Sequence, residues 1–154
     1  MSYEKTKLAL NQAVADLSAM SALIHQIHWY MRGEDFLSLH PKMDEYRDAI
    51  EAQLDEISER LITLGGAPWS TLTEFAEYSK IKLEPGIYGI DTKKRFAEFV
   101  LALRYLDDLY KESIATADAE NDYVTSDIFH DGLAWIEKTI WMVQAELGFA
   151  PEIN

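Results

Sequence analysis

The chain has 154 residues, 48% of them hydrophobic, with 14 basic against 27 acidic side chains and a net charge of −13, a composition that fits one globular domain over 1–154. It has no cysteine, no apolar run near the ~18 residues a membrane span needs and no leader-like start, which excludes disulfide and thiol chemistry and predicts a cytoplasmic location. The acidic excess disfavours default nucleic-acid binding and favours attraction of cations.

The first element spans about Tyr3 to Arg32. Leu10, Val14, Leu17, Ser21, Ile24, His28 and Met31 recur at spacings of four and three, one face of a helix. Gly33 suits the position after its end, with Arg32 beside the negative helix terminus. The second helix is predicted from a cap at Ser38, with Pro41 in its first turn, to the stop at Gly65-Gly66. Its apolar stripe is Met43, Tyr46, Ile50, Leu54, Ile57, Leu61 and Leu64. Thr71 to Ser79 reads as a turn or two of extra helix in the connection. A third long helix starts after Asp91 or Thr92 and runs to Ala119, with Phe96, Phe99, Val100, Leu103, Leu106 and Tyr110 as its stripe. The fourth spans about Val124 to Leu147. No strand-like alternation competes, so the fold class is all-α, a four-helix bundle with a short extra helix between its second and third helices.

The chemistry-bearing residues concentrate at the first helical hairpin. His28 and His40 are equidistant from a turn centred on residue 34, so an antiparallel hairpin brings their imidazoles together. A lone histidine in an apolar stripe is more often a core residue, but here there are two. The second helix also carries Asp44, Asp48, Glu51, Asp55 and Glu59 with His40 in a sector of roughly 100°. Taken on spacing alone, that sector reads as a solvated acidic face.

Distance constrains how these groups can meet. His40 and Asp55 lie roughly 22 Å apart along one helix, so a single copy of that helix cannot bring both to one metal ion. Two antiparallel copies crossing near residues 49–50 place His40 and Asp44 of one beside Asp55 and Glu59 of the other, giving two identical sites per dimer. The same crossing crowds Asp48 and Glu51 at the axis unless solvent or cations intervene. Two imidazoles with two or three carboxylates suit iron, manganese or zinc better than calcium or magnesium. The Glu-x-x-His pair of di-iron bundles is absent, as are a zinc-protease motif around His25 and His28, a phosphate loop and a nucleophile elbow.

Several segments together resemble the Dps family of mini-ferritins. They are His28-Trp29-Tyr30-Met31-Arg32-Gly33, Phe36-Leu37-x-Leu39-His40-x-Lys42-Met43-Asp44, Asp55-Glu56-x-x-Glu59-Arg60-Leu61, and Gly65-Gly66 with Pro68. Ile140-Trp141-Met142 and Gln144-Ala145-x-Leu147-Gly148 resemble that family's last helix. The resemblance covers nearly the whole chain. It implies a ferritin-like bundle assembled as a dodecameric shell of tetrahedral symmetry. It also implies a ferroxidase site between two-fold-related subunits, with His28, His40 and Asp44 from one chain and Asp55 and Glu59 from its partner. Fe(II) would be oxidised there, preferentially by hydrogen peroxide rather than dioxygen, and stored as ferric mineral, with zinc or manganese as competitors.

Trp29, next to His28, reads either as a redox neighbour of the site or as a packed core aromatic. Asp118, Glu120, Asp122, Asp127 and Asp131 form an acidic group before and within the fourth helix. The resemblance implies three-fold pores lined by such acids, to which Asp118, Asp122, Asp127 and Asp131 are assigned. Helix capping is the competing reading, above all for Asp122. Tyr123 stands where relatives carry another acid, and Thr139 where they often carry histidine. Some relatives bind DNA through a lysine-rich tail, but here residues 1–7 hold only Lys5 and Lys7, offset by Glu4, and residues 148–154 hold no basic group. Lys93-Lys94-Arg95 is the one basic cluster and reads as a solvated helix start. Iron detoxification is therefore expected, against the alternatives of a DNA-compacting protein or a purely structural oligomeric bundle.

Overall fold

Five α-helices make up the described residues, 2–153, of the computed structural model, and no strand occurs among them. They are α1 (Glu4–Tyr30), α2 (Phe36–Thr63), α3 (Leu72–Tyr78), α4 (Thr92–Ala119) and α5 (Tyr123–Glu146). The short extra helix is α3. Met1 and Asn154, the ends of the expected domain and of its two tails, lie outside the described residues.

The helical periodicity becomes the core directly. Leu10, Val14, Leu17 and Ile24 of α1, Met43, Ile50, Ile57 and Leu61 of α2, and Phe96, Phe99, Leu103, Leu106 and Tyr110 of α4 are all buried, joined by Phe129, Ile136, Ile140 and Val143 of α5. The chain folds as two antiparallel hairpins, α1 on α2 and α4 on α5, closed into one bundle where α1 meets α4 and α2 meets α5. Packing at the centre is close. A methyl group on Gly132 would lie 2.5 Å from the Tyr110 ring and 2.7 Å from Gln53 Oε1.

Polar groups fix the connections. Asp16 is fully buried on α1 and accepts from the Tyr105 hydroxyl, Gln12, the Ser79 hydroxyl and the Lys80 N–H. One carboxylate thereby ties the segment after α3 to both α1 and α4. At the start of α3, Thr71 and Glu74 form a reciprocal capping box. α1 has no side-chain cap of its own. Glu120, from the far end of α4, instead accepts from the Lys5 and Thr6 N–H groups and from the Thr6 hydroxyl. Those hydrogen bonds, led by the Thr6 hydroxyl, hold the Glu120 carboxyl below its ordinary range.

Two local expectations are corrected. Ser38 does not cap α2. The chain reverses sharply at Gly33 (φ 104) and Asp35 (φ 63), so the helix begins at Phe36 with Asp35 as its cap residue. The Ser38 hydroxyl donates to the Asp35 carbonyl instead, at 3.0 Å, and Pro41 falls in the second turn, where it withholds an N–H from the Leu37 carbonyl. The basic cluster is not wholly solvated either. Lys93 and Lys94 are exposed, but Arg95 is 2% exposed, donates to the Ile87 carbonyl and faces the Tyr30 ring at 5.6 Å. Its aliphatic stem fills space that a solvated residue would leave empty.

Candidate metal centre

The α1–α2 hairpin brings the two histidines together at its closed end. Their rings stack with centroids 3.6 Å apart and planes 7° from parallel. Each ring reaches across to the other's backbone: His28 Nδ1 lies 2.6 Å from the His40 carbonyl and His40 Nδ1 lies 2.8 Å from the His28 carbonyl. A carbonyl only accepts, so each Nδ1 carries the hydrogen and each Nε2 is left with its lone pair. This is how metal-ligating imidazoles are usually oriented, with one nitrogen held by a backbone oxygen and the other free to coordinate. The His28 carbonyl is available because it lies in the last turn of α1, where no helical N–H reaches it. Phe36 forms a shelf beneath His40, ring centroids 4.7 Å apart.

Asp44 lies one turn beyond His40, with Oδ1 3.6 Å from His28 Nε2 and a side chain 58% exposed. Asp55 and Glu59 project from the same helix, exposed and far along it. Asp44 and Asp55 are separated by roughly 16 Å of helix. Among the described residues of one chain, no three His, Asp or Glu side chains converge tightly enough to hold a metal ion. One chain thus pairs His28 with His40 and sets Asp44 beside His28, while Asp55 and Glu59 stay apart from them.

Around this half-site, Trp29 is 64% exposed and packs on the His25 ring at 4.4 Å, so it is not a core aromatic of the single chain. Burial, helped by the Arg47 charge, lowers the His25 imidazole below its ordinary value. Spacing alone did not reveal the two carbonyls that orient the rings, because they belong to the backbone. The short turn, which sets positions 28 and 40 opposite each other, was the only sign of them in the sequence.

The acidic group splits by role. Asp118, Asp127 and Asp131 are exposed. Asp122 is 2% exposed and caps α5, accepting from the Thr125 N–H and hydroxyl and from Arg60 Nη2 at 2.7 Å. Burial pushes its carboxyl up, but the Thr125 and Arg60 hydrogen bonds outweigh burial and leave it lowered. Glu120 is engaged at the start of α1, as described above.

Comparison with known proteins agrees with this architecture. Residues 7–152 match the family model for the ferritin-like domain. The chain is 53% identical over 148 residues to the DNA protection during starvation protein of Streptococcus suis, covering 96% of this chain and 86% of that one. The X-ray structure of Dps from Listeria monocytogenes superposes with a TM-score of 0.93 at 42% identity, covering 95% of each chain. A Listeria innocua Dps structure soaked with cobalt gives the same TM-score of 0.93 at 43% identity, covering 95% of this chain and 94% of that one. The chain belongs to the ferritin-like family, within which its relatives are the Dps proteins.

Proposed function

We propose that this protein is a cytoplasmic ferroxidase and iron store that consumes Fe(II) and hydrogen peroxide together inside a dodecameric shell. The observation that carries the reading is the reciprocal lock of His28 and His40, which fixes both Nδ1 hydrogens on carbonyls and leaves both Nε2 lone pairs free, that of His28 3.6 Å from Asp44 Oδ1. Asp55 and Glu59 of a second copy complete the donor set across an antiparallel crossing of two α2 helices, giving two sites per two-fold interface. Imidazole and carboxylate donors fit iron, and zinc and manganese compete for the same set.

The chain's own groups explain the direction of the chemistry. Imidazole nitrogens hold Fe(II), and the carboxylates lower the energy of the ferric state as positive charge grows. Each Fe(II) gives up one electron. Peroxide accepts two, its O–O bond breaks, and the oxygens leave as oxide and hydroxide of the ferric product while water supplies the released protons. The exposed Asp118, Asp127 and Asp131 serve Fe(II) passage into the shell. Asp122, engaged as a cap, has no free oxygen for that task.

The relatives' name refers to DNA, but protection here comes from removing iron and peroxide. A shell repeating a net charge of −13 repels phosphate, and the burial of Arg95 leaves the one basic cluster smaller than the sequence suggests. The test is anaerobic Fe(II) loading followed by stoichiometric peroxide, reading ferric absorbance and the iron retained in the high-mass protein fraction. Wild type should oxidise rapidly and keep Fe(III) soluble, and Asp55→Ala should lose Fe(II) binding. Oxidation no faster than in buffer, with iron precipitating, refutes the reading.

A further inference from the structure

The axis of the expected two-fold crossing poses a charge problem. Asp44, Asp48, Glu51, Asp55 and Glu59 lie on the α2 sector that two copies would press together, and like charges at such an interface oppose docking. The cation nearest the crossing at residues 49–50 is Arg47. Within one chain it is poorly used. Its Nε is buried with no hydrogen-bond partner, and its Nη2 stands 3.6 Å from Glu51 Oε1, beyond hydrogen-bond length. That same Glu51 oxygen already takes the Ser21 hydroxyl at 2.6 Å. Asp48, the next residue, cannot serve, because neighbours i and i+1 do not face each other on a helix.

An antiparallel copy resolves this. With the crossing at 49–50, residue 51 of one α2 lies level with residue 48 of the other, only ~1.5 Å along the axis from Arg47. The partner's Ala52 is level with Arg47 along the axis, and its short side chain puts no obstacle at that height. We infer that Arg47 is a positioning residue that bridges its own Glu51 and the partner's Glu51. The two arginines and two glutamates then form a closed, alternating charge ring on the two-fold axis. The ring sets the register that delivers Asp55 and Glu59 of each copy to His28 and His40 of the other. The inference rests on the inter-subunit site proposed above and adds the residue that aligns it.

The test uses complementation between full-length chains. Arg47→Glu and Glu51→Arg, each expressed alone, place like charges at every contact of the ring and should yield low-mass species by native mass spectrometry. Co-expressed, the two chains restore opposite charges only across the interface, since each keeps a like-charge pair within itself. The mixed protein should therefore assemble with equal shares of both chains and regain the visible spectrum of bound Co(II), used as a redox-inert probe. Arg47→Gln, which adds no repulsion, should weaken assembly about tenfold, and Arg47→Lys should recover part of it. The inference is overturned if the single variants assemble like wild type, or if the co-expressed pair fails to assemble. Wild type that assembles, with the mixed pair restoring mass but no Fe(II) oxidation in either, would sink the ferroxidase reading and leave the charge ring standing.

Discussion

Asp122 separates two readings that the sequence left side by side. Asp122→Ala removes the α5 cap, which costs about 1 kcal/mol. It also removes the carboxylate from Arg60, whose side chain is 15% exposed and whose Nε keeps the Thr125 hydroxyl at 3.0 Å. Breaking a fully buried pair costs ~3–5 kcal/mol, and the partial exposure of Arg60 reduces that, so the sum is about 2–4 kcal/mol. For a chain of this length that is a fall in Tm of ~5–15 °C. Asp122→Asn keeps a good cap and loses only the charge, so about half that loss is expected. Because the folded carboxyl is lowered from its ordinary 3.8, its stabilisation is fully present above that pH and is lost as pH falls through the folded value. The gap between wild type and Asp122→Asn should therefore close in acid. The assay is thermal unfolding of the assembled protein from pH 7 to pH 3, beside initial rates of iron uptake. A Tm within 1 °C of wild type in Asp122→Ala (roughly 0.3–0.5 kcal/mol), or a large uptake defect in Asp122→Asn with unchanged Tm, would refute the capping argument.

The exposed acids should behave in the opposite way: Asp127→Asn should slow iron uptake severalfold with Tm unchanged, and normal uptake would remove Asp127 from the iron path. Asp16→Ala strands the Ser79, Lys80 and Tyr105 donors, at a cost of ~3–5 kcal/mol by analogy with charged hydrogen bonds; denaturant titration checks this, and a loss below ~1 kcal/mol would mean water replaces the carboxylate. Trp29→Phe should raise hydroxyl-radical yield in spin trapping during peroxide turnover, and an equal yield would leave Trp29 without a redox role.

The bundle was legible because its signal is periodic. Every apolar position assigned to the α4 stripe is buried, as expected when the hydrophobic effect selects one helical face. The errors fell where local backbone geometry decides. Ser38 carries the chemistry of a cap, but left-handed Asp35 after Gly33 turns the chain sooner than side-chain preference indicates. Arg95 sits in a run that composition marks as surface, yet it donates back to the Ile87 carbonyl and faces the Tyr30 ring of α1, a partner 65 residues away that leaves no local trace. Asp122 and Glu120 showed the same limit. Five acids in sequence look alike, and only the arrival of Arg60 from α2 and Thr6 from α1 tells the structural ones from the exposed ones.

The candidate site was legible for a different reason. Side-chain spacing located His28 and His40 through the turn, and the fold adds their carbonyl partners, which no residue pattern encodes. Spacing also showed what a single chain cannot do, since Asp55 lies too far along α2 to meet His40. Under the proposed inter-subunit site, the same helix has to present ligands at both ends and tolerate its own negative charge in the middle. Arg47 stands at that middle with a buried, unpartnered Nε. If the ligands are shared between copies, the residues that hold the copies in register matter to the chemistry as much as the ligands, because a shift of one helical turn moves each carboxylate by ~5.4 Å. Such a shift exceeds any metal–oxygen bond, so an interface out of register would hold its partner and bind no iron. Loss of metal sites with the dimer retained is thus the failure expected from variants that loosen the axis without breaking it.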